Sequence, residues 1–280
     1  MRTTRDLKRL TNLTNLLLIG ALAFAGGAAA QARQVDVRGT KPTASVASLL
    51  VALNGEDARA REGAVEELRR MGQAAVPALT EFLNKEKGPG RAYAAWALAD
   101  IEPKNELAHQ TLEDTARDGQ GDEVLVAAVA LAGIDPENDA AVPALVKMAS
   151  KTIIIPSQKN MSRQRGAAFA LALTAPGVRA LTPLLSHWDS WVRQAAVFAF
   201  DDRTETLSRA TPAVRAAVRE AIPALVKALA DKDKVVRGMA AEDLEQLGAD
   251  AVPELKKAAA SNDKKLAPAA AELLKQIGQG

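Results

Sequence analysis

Apolar residues recur at helical spacing through most of the chain, and one short phrase containing proline marks where several helices should begin. Proline is tolerated in a first helical turn because its missing N–H would have no partner there. Each copy therefore predicts the start of an amphipathic helix. The copies are AVPALTEFL from Ala75, AVPALVKMA from Ala141, AIPALVKAL from Ala221, AVPELKKAA from Ala251 and the looser ALTPLLSHW from Ala180.

A second phrase follows the first, with the pattern Arg-x-x-Ala-x-x-x-Leu/Phe. This spacing places the three positions on one face of a helix. The clear copies have the triplets Arg61, Ala64 and Leu68; Arg91, Ala94 and Leu98; Arg193, Ala196 and Phe200; and Arg237, Ala240 and Leu244. In weaker copies Val124, Arg165 and Ala267 stand at the first position. The two phrases alternate, so they predict about seven helix pairs within residues 43–280.

The first positions of the second phrase are unevenly spaced, and the two longest steps point to insertions. We assign these insertions to residues 151–160 and 203–218. The first contains three consecutive isoleucines, Ile153, Ile154 and Ile155, outside any helical phrase. They either tuck between helices or form an exposed extended segment, and we favour tucking.

Together the two phrases resemble the HEAT repeat, in particular the short bacterial variety named after phycobilisome lyases. The resemblance covers nearly all of residues 43–280. It implies an all-α fold, a right-handed superhelical α-solenoid of about seven HEAT-like helix pairs. Repeats of this kind serve as scaffolds, adaptors, lyase subunits and a few DNA-repair enzymes, so the resemblance leaves the function open.

The resemblance also implies that Asp189 and Arg193, in the stretch DSWVRQAAVFAF, have a structural role. Equivalent pairs are Asp57 with Arg61 and Asp233 with Arg237. An acid suits the N-terminus of the second helix. The arginine one turn later is expected to pair with an acid of a neighbouring repeat and to satisfy loop carbonyls.

A binding surface should lie where the copies differ. The fifth residue after each first position lies about 140° round the helix from it, and the resemblance implies that this side lines a concave surface. In order these residues are Glu66, Trp96, Val129, Ala170, Phe198, Glu242 and Glu272, acidic at the ends and apolar in the middle. Tyr93 and Trp191 fall on the same side. We therefore predict partner binding by Tyr93, Trp96, Val129, Trp191 and Phe198. The alternative is that an insertion folds back and covers these residues as core.

Composition narrows the chemistry. The 280 residues include no cysteine and two histidines, which excludes disulfides, thiolate metal sites and a multi-histidine metal site within one chain. We find no glycine-rich phosphate loop, nucleophile elbow, HExxH motif or calcium loop. We therefore expect no catalytic residues, no metal site and no small-molecule cofactor.

The N-terminus has the layout of a secretory signal peptide. A basic segment precedes an apolar run at residues 16–30, and AAAQA supplies small residues for cleavage. We assign residues 1–32 to the signal peptide and 33–42 to a linker, and expect a periplasmic or secreted bacterial protein. The alternative is an uncleaved anchor, the only case in which we expect membrane contact. No cysteine follows the run, so a lipoprotein is excluded.

The net charge of +2 is concentrated in that segment. Residues 1–32 carry four basic residues against one acid, which leaves about −1 for residues 33–280. A near-neutral chain lacks the basic excess that nucleic-acid binding usually needs. We predict a non-enzymatic scaffold or adaptor that binds a protein or peptide. The alternative is a lyase-type or other enzyme-associated HEAT-repeat subunit.

Overall fold

The computed structural model describes residues 45–153, 157–201 and 210–278. The predicted signal peptide, the linker, Ile154, Ile155 and most of the non-helical part of the second insertion lie outside these residues. Within the described ranges the regular structure is entirely helical, with fourteen α-helices in seven consecutive pairs. The chain divides into two compact units after Asp135. The prediction of an all-α fold of about seven helix pairs is confirmed.

Unit 1 contains three helix pairs. Their bounds are α1 Val46–Leu53 with α2 Ala58–Met71, α3 Val76–Lys85 with α4 Gly90–Ile101, and α5 Glu106–Asp118 with α6 Asp122–Ile134. The first helices α1, α3 and α5 contact one another in sequence, and so do the second helices α2, α4 and α6. Each pair therefore covers the apolar face of the next, as in an α-solenoid.

Unit 2 contains four pairs stacked in the same way. Their bounds are α7 Val142–Ala149 with α8 Gln158–Ala172, α9 Ala175–Leu181 with α10 Ser190–Phe198, α11 Pro212–Ala228 with α12 Lys234–Leu247, and α13 Val252–Ala259 with α14 Leu266–Ile277. The 3-10 turn Thr182–Ser186 continues α9. First helices again contact first helices, and second helices contact second helices. The cores are rich in alanine and leucine. Alanine is small and lets neighbouring helices approach closely, and leucine fills the space between them.

The proline phrase begins helices where it was expected to in three copies. Proline occupies the first turn of α3, α7 and α13. In α11 the prediction was wrong, because Pro223 lies inside a helix that begins eleven residues earlier at Pro212. Burial of Val218, Ile222 and Leu225 along this helix offsets the backbone hydrogen bond that the internal proline removes.

Part of each predicted insertion is helical. Residues 212–218 of the second insertion form the first turns of α11, whose N-cap Thr211 accepts a hydrogen bond from the Val214 N–H. Residues 158–160 of the first insertion begin α8, whose N-cap is Ser157. The side chain of Ile153 is half-buried. Both insertions extend helices, and the extension of α8 changes the role of a later arginine, described below.

Candidate partner-binding surface

Arg193 is a structural residue at the junction of two repeats. The residue is 4% exposed, and its guanidinium forms a bidentate ion pair with Asp231, with Nε–Oδ2 and Nη2–Oδ1 distances of 2.7 and 2.9 Å. Nη1 donates to the carbonyls of His187 and Trp188 at 2.8 and 3.1 Å. Both expected interactions, with an acid of the next repeat and with loop carbonyls, are present.

The same arrangement recurs at other copies of the arginine. Nη1 of Arg237 donates to the carbonyls of Asp231 and Lys232, six and five residues earlier, and Nη1 of Arg61 donates to the carbonyl of Gly55, six residues earlier. The paired acids cap their helices. Asp57, Asp189 and Asp233 each accept from the backbone N–H two residues later at 2.8–2.9 Å. These residues close the turn within each helix pair.

A solvent-open depression of about 380 Å³ lies beside Arg193 in unit 2. The Arg193–Asp231 ion pair contributes to its lining, and so do Lys227 and Lys232. Trp188, 71% exposed, forms part of the wall and contacts the His187 ring. Arg193 already uses four of its five N–H groups on the protein, so it has little left to offer a ligand there.

In unit 1 the expected exposure of the predicted binding residues was wrong. Tyr93 and Trp96 are each 7% exposed and Val129 is 5% exposed. The helical angle placed them away from the pair's own core, but α4 contacts all five other helices of the unit. Nine of its twelve residues are buried in consequence. A helix at the centre of a stack has no side left for a partner.

The buried aromatics of unit 1 have polar neighbours of unequal quality. The Arg61 guanidinium carbon lies 5.2 Å from the centre of the Tyr93 ring, a cation–π contact. Burial raises the pKa of the Tyr93 hydroxyl, and Arg61 opposes the rise. Within the described part of the chain, the indole N–H of Trp96 has no hydrogen-bond partner.

In unit 2 the two remaining predicted residues are partly accessible. The side chains of Trp191 and Phe198 are half-buried. They are seven residues apart on α10 and therefore share one face, with Gln194 between them. Gln194 donates to the Asp233 carboxylate at 2.8 Å, which ties this face of α10 to the start of α12.

Arg165 on α8 completes this surface. Its guanidinium carbon lies 5.4 Å from the centre of the Phe198 ring. Among the described residues it takes part in no ion pair or hydrogen bond, although the side chain is half-buried. Burial lowers the pKa of the Arg165 guanidinium because it removes water from the charge.

The length of α8 explains why Arg165 differs from Arg61, Arg193 and Arg237. The carbonyls five and six residues before Arg165 lie inside α8, which begins at Gln158, so they are not the loop carbonyls that the corresponding positions offer to Arg193 and Arg237. Gln164 performs that task instead. Its side-chain amide donates to the carbonyls of Ala149 and Lys151 at 3.0 and 2.9 Å. The turn is satisfied without Arg165.

Val235 on α12 extends the surface by one helix. It precedes Arg237 by two residues, as Trp191 precedes Arg193, and it is 43% exposed. We call Arg165, Trp191, Phe198 and Val235 the unit 2 patch. Sequence reasoning missed Arg165 and Val235. The available signal for Arg165 was the glutamine before it, which no other copy of the phrase has in that place.

Comparison with known proteins identifies the repeats. Residues 46–133 match the family model described as HEAT repeats, and residues 236–261 match the PBS lyase HEAT-like repeat. The chain therefore carries HEAT repeats, as the resemblance predicted. No curated protein matches the chain. No helix among the described residues is both long and apolar enough to cross a membrane.

Several solved structures are similar to the chain at low identity. The Escherichia coli protein YibA is 20% identical and the match covers 85% of this chain and 94% of that one, with a TM-score of 0.45. The CpcE–CpcF complex of phycocyanin lyase from Nostoc is 21% identical over 89% and 99%, with a TM-score of 0.36. A designed armadillo repeat protein in complex with the peptide (KR)4 is 17% identical over 84% and 100%, with a TM-score of 0.31.

Proposed function

We propose that this HEAT-repeat chain is an exported, non-enzymatic scaffold that binds a protein or peptide segment on the unit 2 patch. The observation that carries the proposal is the unit 2 patch itself. Trp191, Phe198 and Val235 keep apolar surface partly accessible on neighbouring second helices, beside an arginine that has no acid partner among the described residues. Aromatic and arginine side chains are the residue types enriched at the energetic centres of interfaces.

Physical chemistry supports binding in preference to catalysis at this place. Half-exposed tryptophan and phenylalanine side chains gain free energy when a partner removes their remaining apolar area from water, at about 25 cal/mol per Å². The unit 2 patch holds no carboxylate pair, histidine or nucleophile that could perform acid–base or covalent chemistry. It suits recognition of an extended segment laid across α8, α10 and α12.

Export rests on the sequence of residues 1–32, with its basic start, apolar run and small residues near Ala30 and Ala32. Mass spectrometry of the chain from its native cells tests it. We expect a mature N-terminus near Gln31 or Arg33. A chain that starts at Met1 and is recovered from the cytosol would contradict export and leave the binding proposal standing.

One observation favours a second candidate, a lyase-type subunit, because residues 236–261 match a repeat model named after such lyases. Such a subunit would contribute to the covalent attachment of a chromophore to a protein, in cells that make that chromophore. Recovery of a chromophore-bearing protein with the chain would favour this alternative over a scaffold.

Site-specific photo-crosslinking in the native cells tests the binding surface. A photoreactive phenylalanine analogue is placed at Phe198 and, as a matched control, at the exposed position Arg215 on α11. We expect a discrete adduct from position 198 that is absent from position 215 and is lost when Trp191→Ala is added. Equal adducts at both positions, or none at 198, would contradict the proposed surface.

A further inference from the structure

We propose that the segment bound by the unit 2 patch carries a carboxylate, which Arg165 receives beside the Phe198 ring. This inference rests on the proposed function and names the chemistry of its partner. The unit 2 patch then recognises two features of the segment: an apolar side chain that packs against Trp191 and Phe198, and an acidic group that binds Arg165.

The first step concerns what Arg165 does for the fold. Arg61, Arg193 and Arg237 hold the loop carbonyls of their own repeats. In the repeat of Arg165 those carbonyls are held by Gln164, which is 4% exposed. An arginine therefore stands at this position without the loop carbonyls that Arg61, Arg193 and Arg237 hold.

The second step concerns its charge. Other arginines of unit 2 face acids: Arg193 pairs with Asp231, Arg179 with Glu220 at 3.0 Å and Arg219 with Asp250 at 2.8 Å. Arg165 is half-buried and has no acid or hydrogen-bond acceptor among the described residues. A partly desolvated guanidinium without a counter-ion is unfavourable in the free chain, and a ligand carboxylate would relieve that cost.

The third step concerns the geometry around the charge. The Arg165 guanidinium carbon lies 5.4 Å from the centre of the Phe198 ring, and its N–H groups have no acceptor among the described residues. A planar fork of N–H donors matches a carboxylate in a bidentate arrangement. A single arginine beside aromatic surface, without an acid partner in the described part of the chain, suits one carboxylate next to an apolar residue. Nucleic acid would instead require a row of cations spaced for successive phosphates.

A random dodecapeptide library displayed on phage tests the proposal with a defined probe. The library is selected on the folded chain and on Phe198→Ala, and peptides that bind only the former are sequenced. We expect them to contain aspartate, glutamate or a free C-terminal carboxylate next to an apolar residue. Synthetic versions are then titrated against the intact chain and its variants.

The variants separate a specific role of Arg165 from a general effect of charge. Arg165→Met should weaken binding of an acidic peptide by about tenfold or more, and Arg165→Lys by less, because lysine keeps the charge and loses the fork. Arg215→Met removes an exposed positive charge from the same unit and should leave the affinity unchanged. Replacing the peptide's acid with its amide should match the loss in Arg165→Met, and the two changes together should not add.

Each outcome decides a different question. Selected peptides without an acid, or with an affinity insensitive to Arg165→Met, would overturn the carboxylate inference and leave the unit 2 patch as a binding surface. Failure to select any peptide that distinguishes the chain from Phe198→Ala would overturn the proposed function and the inference together. Unchanged thermal unfolding of Arg165→Met confirms that the variant reports binding alone.

Discussion

The two units hold the same kind of contact in different surroundings. In unit 1 the Arg61 guanidinium lies 5.2 Å from the Tyr93 ring, and in unit 2 the Arg165 guanidinium lies 5.4 Å from the Phe198 ring. Tyr93 is buried and Arg61 also donates to a loop carbonyl. Phe198 is half-buried and Arg165 has no such acceptor among the described residues.

The difference follows from the neighbours of each helix. All five other helices of unit 1 contact α4, so an aromatic residue on any of its sides becomes core. Helix α10 is three residues shorter than α4, and its main contacts are α8, α12 and the 3-10 turn that precedes it. One side of α10 stays accessible. A given repeat position is therefore structural or available for binding according to how many helices surround it.

The largest expected effect tests whether the aromatics of unit 1 are core. Trp96→Ala should lower the free energy of unfolding by about 3–5 kcal/mol, because it removes a large buried side chain and leaves a cavity. Phe198→Ala should cost less, about 1–2 kcal/mol, because its side chain is only half-buried and the site is open to water on one side. Urea denaturation of both variants measures the contrast.

Trp96→Phe is the matched control for that contrast. It keeps an aromatic ring and removes an N–H that has no partner within the described residues, so it should cost clearly less than Trp96→Ala. Equal losses in Trp96→Ala and Phe198→Ala would mean that the two aromatics have the same surroundings, which would break the comparison between the units.

The next effect concerns Arg193, which binds the loop carbonyls and the acid that Arg165 does not bind. Arg193→Met should destabilise the chain by about 3 kcal/mol, because it leaves the Asp231 carboxylate, whose side chain is 11% exposed, without its ion partner. Affinity for a selected peptide should stay unchanged. Thermal unfolding and peptide titration measure the two quantities. A variant that melts normally but no longer binds would make Arg193 a binding residue.

The structural residues and the number of helix pairs could be predicted well from the sequence. Asp189 and Arg193 were assigned correctly because a residue that recurs in several repeats has neighbours that also recur. The number of helix pairs was predictable for the same reason. The proline phrase misled at Pro223, because a preceding amphipathic stretch joined the same helix, and periodicity alone does not show where two such stretches fuse.

The candidate binding residues were harder to predict. A helical angle locates a side chain relative to its own helix, but burial depends on which other helices approach, and that is a tertiary property. The angle was therefore uninformative for Tyr93, Trp96 and Val129 in unit 1. Arg165 was missed because its lack of nearby loop carbonyls depends on where α8 begins, and the first insertion obscured that boundary.

A smaller effect separates Gln164 from its neighbour. Gln164→Ala should cost about 1–3 kcal/mol, because the carbonyls of Ala149 and Lys151 lose a buried donor. Arg165→Met should not lower the free energy of unfolding, because it removes a partly desolvated charge. Chemical denaturation of the two variants measures the difference. A larger loss in Arg165→Met than in Gln164→Ala would show that Arg165 supports the fold, and the reason for proposing it as a ligand contact would be gone.

The smallest effect concerns the ionisation of Tyr93, the single tyrosine of the chain. Burial raises the pKa of its hydroxyl, and Arg61 limits the rise. The tyrosinate absorption of the folded chain should therefore appear above the ordinary value of about 10, and that of the urea-unfolded chain at that value. Since the folded pKa is the higher one, the stability linked to this group is complete below the ordinary value and declines as pH rises towards the shifted one. Arg61→Met should raise the midpoint further, because it removes the opposing cation. A folded-state midpoint equal to that of the unfolded chain would place the Tyr93 hydroxyl in water, and unit 1 would then be as open around its aromatic ring as unit 2 is around Phe198.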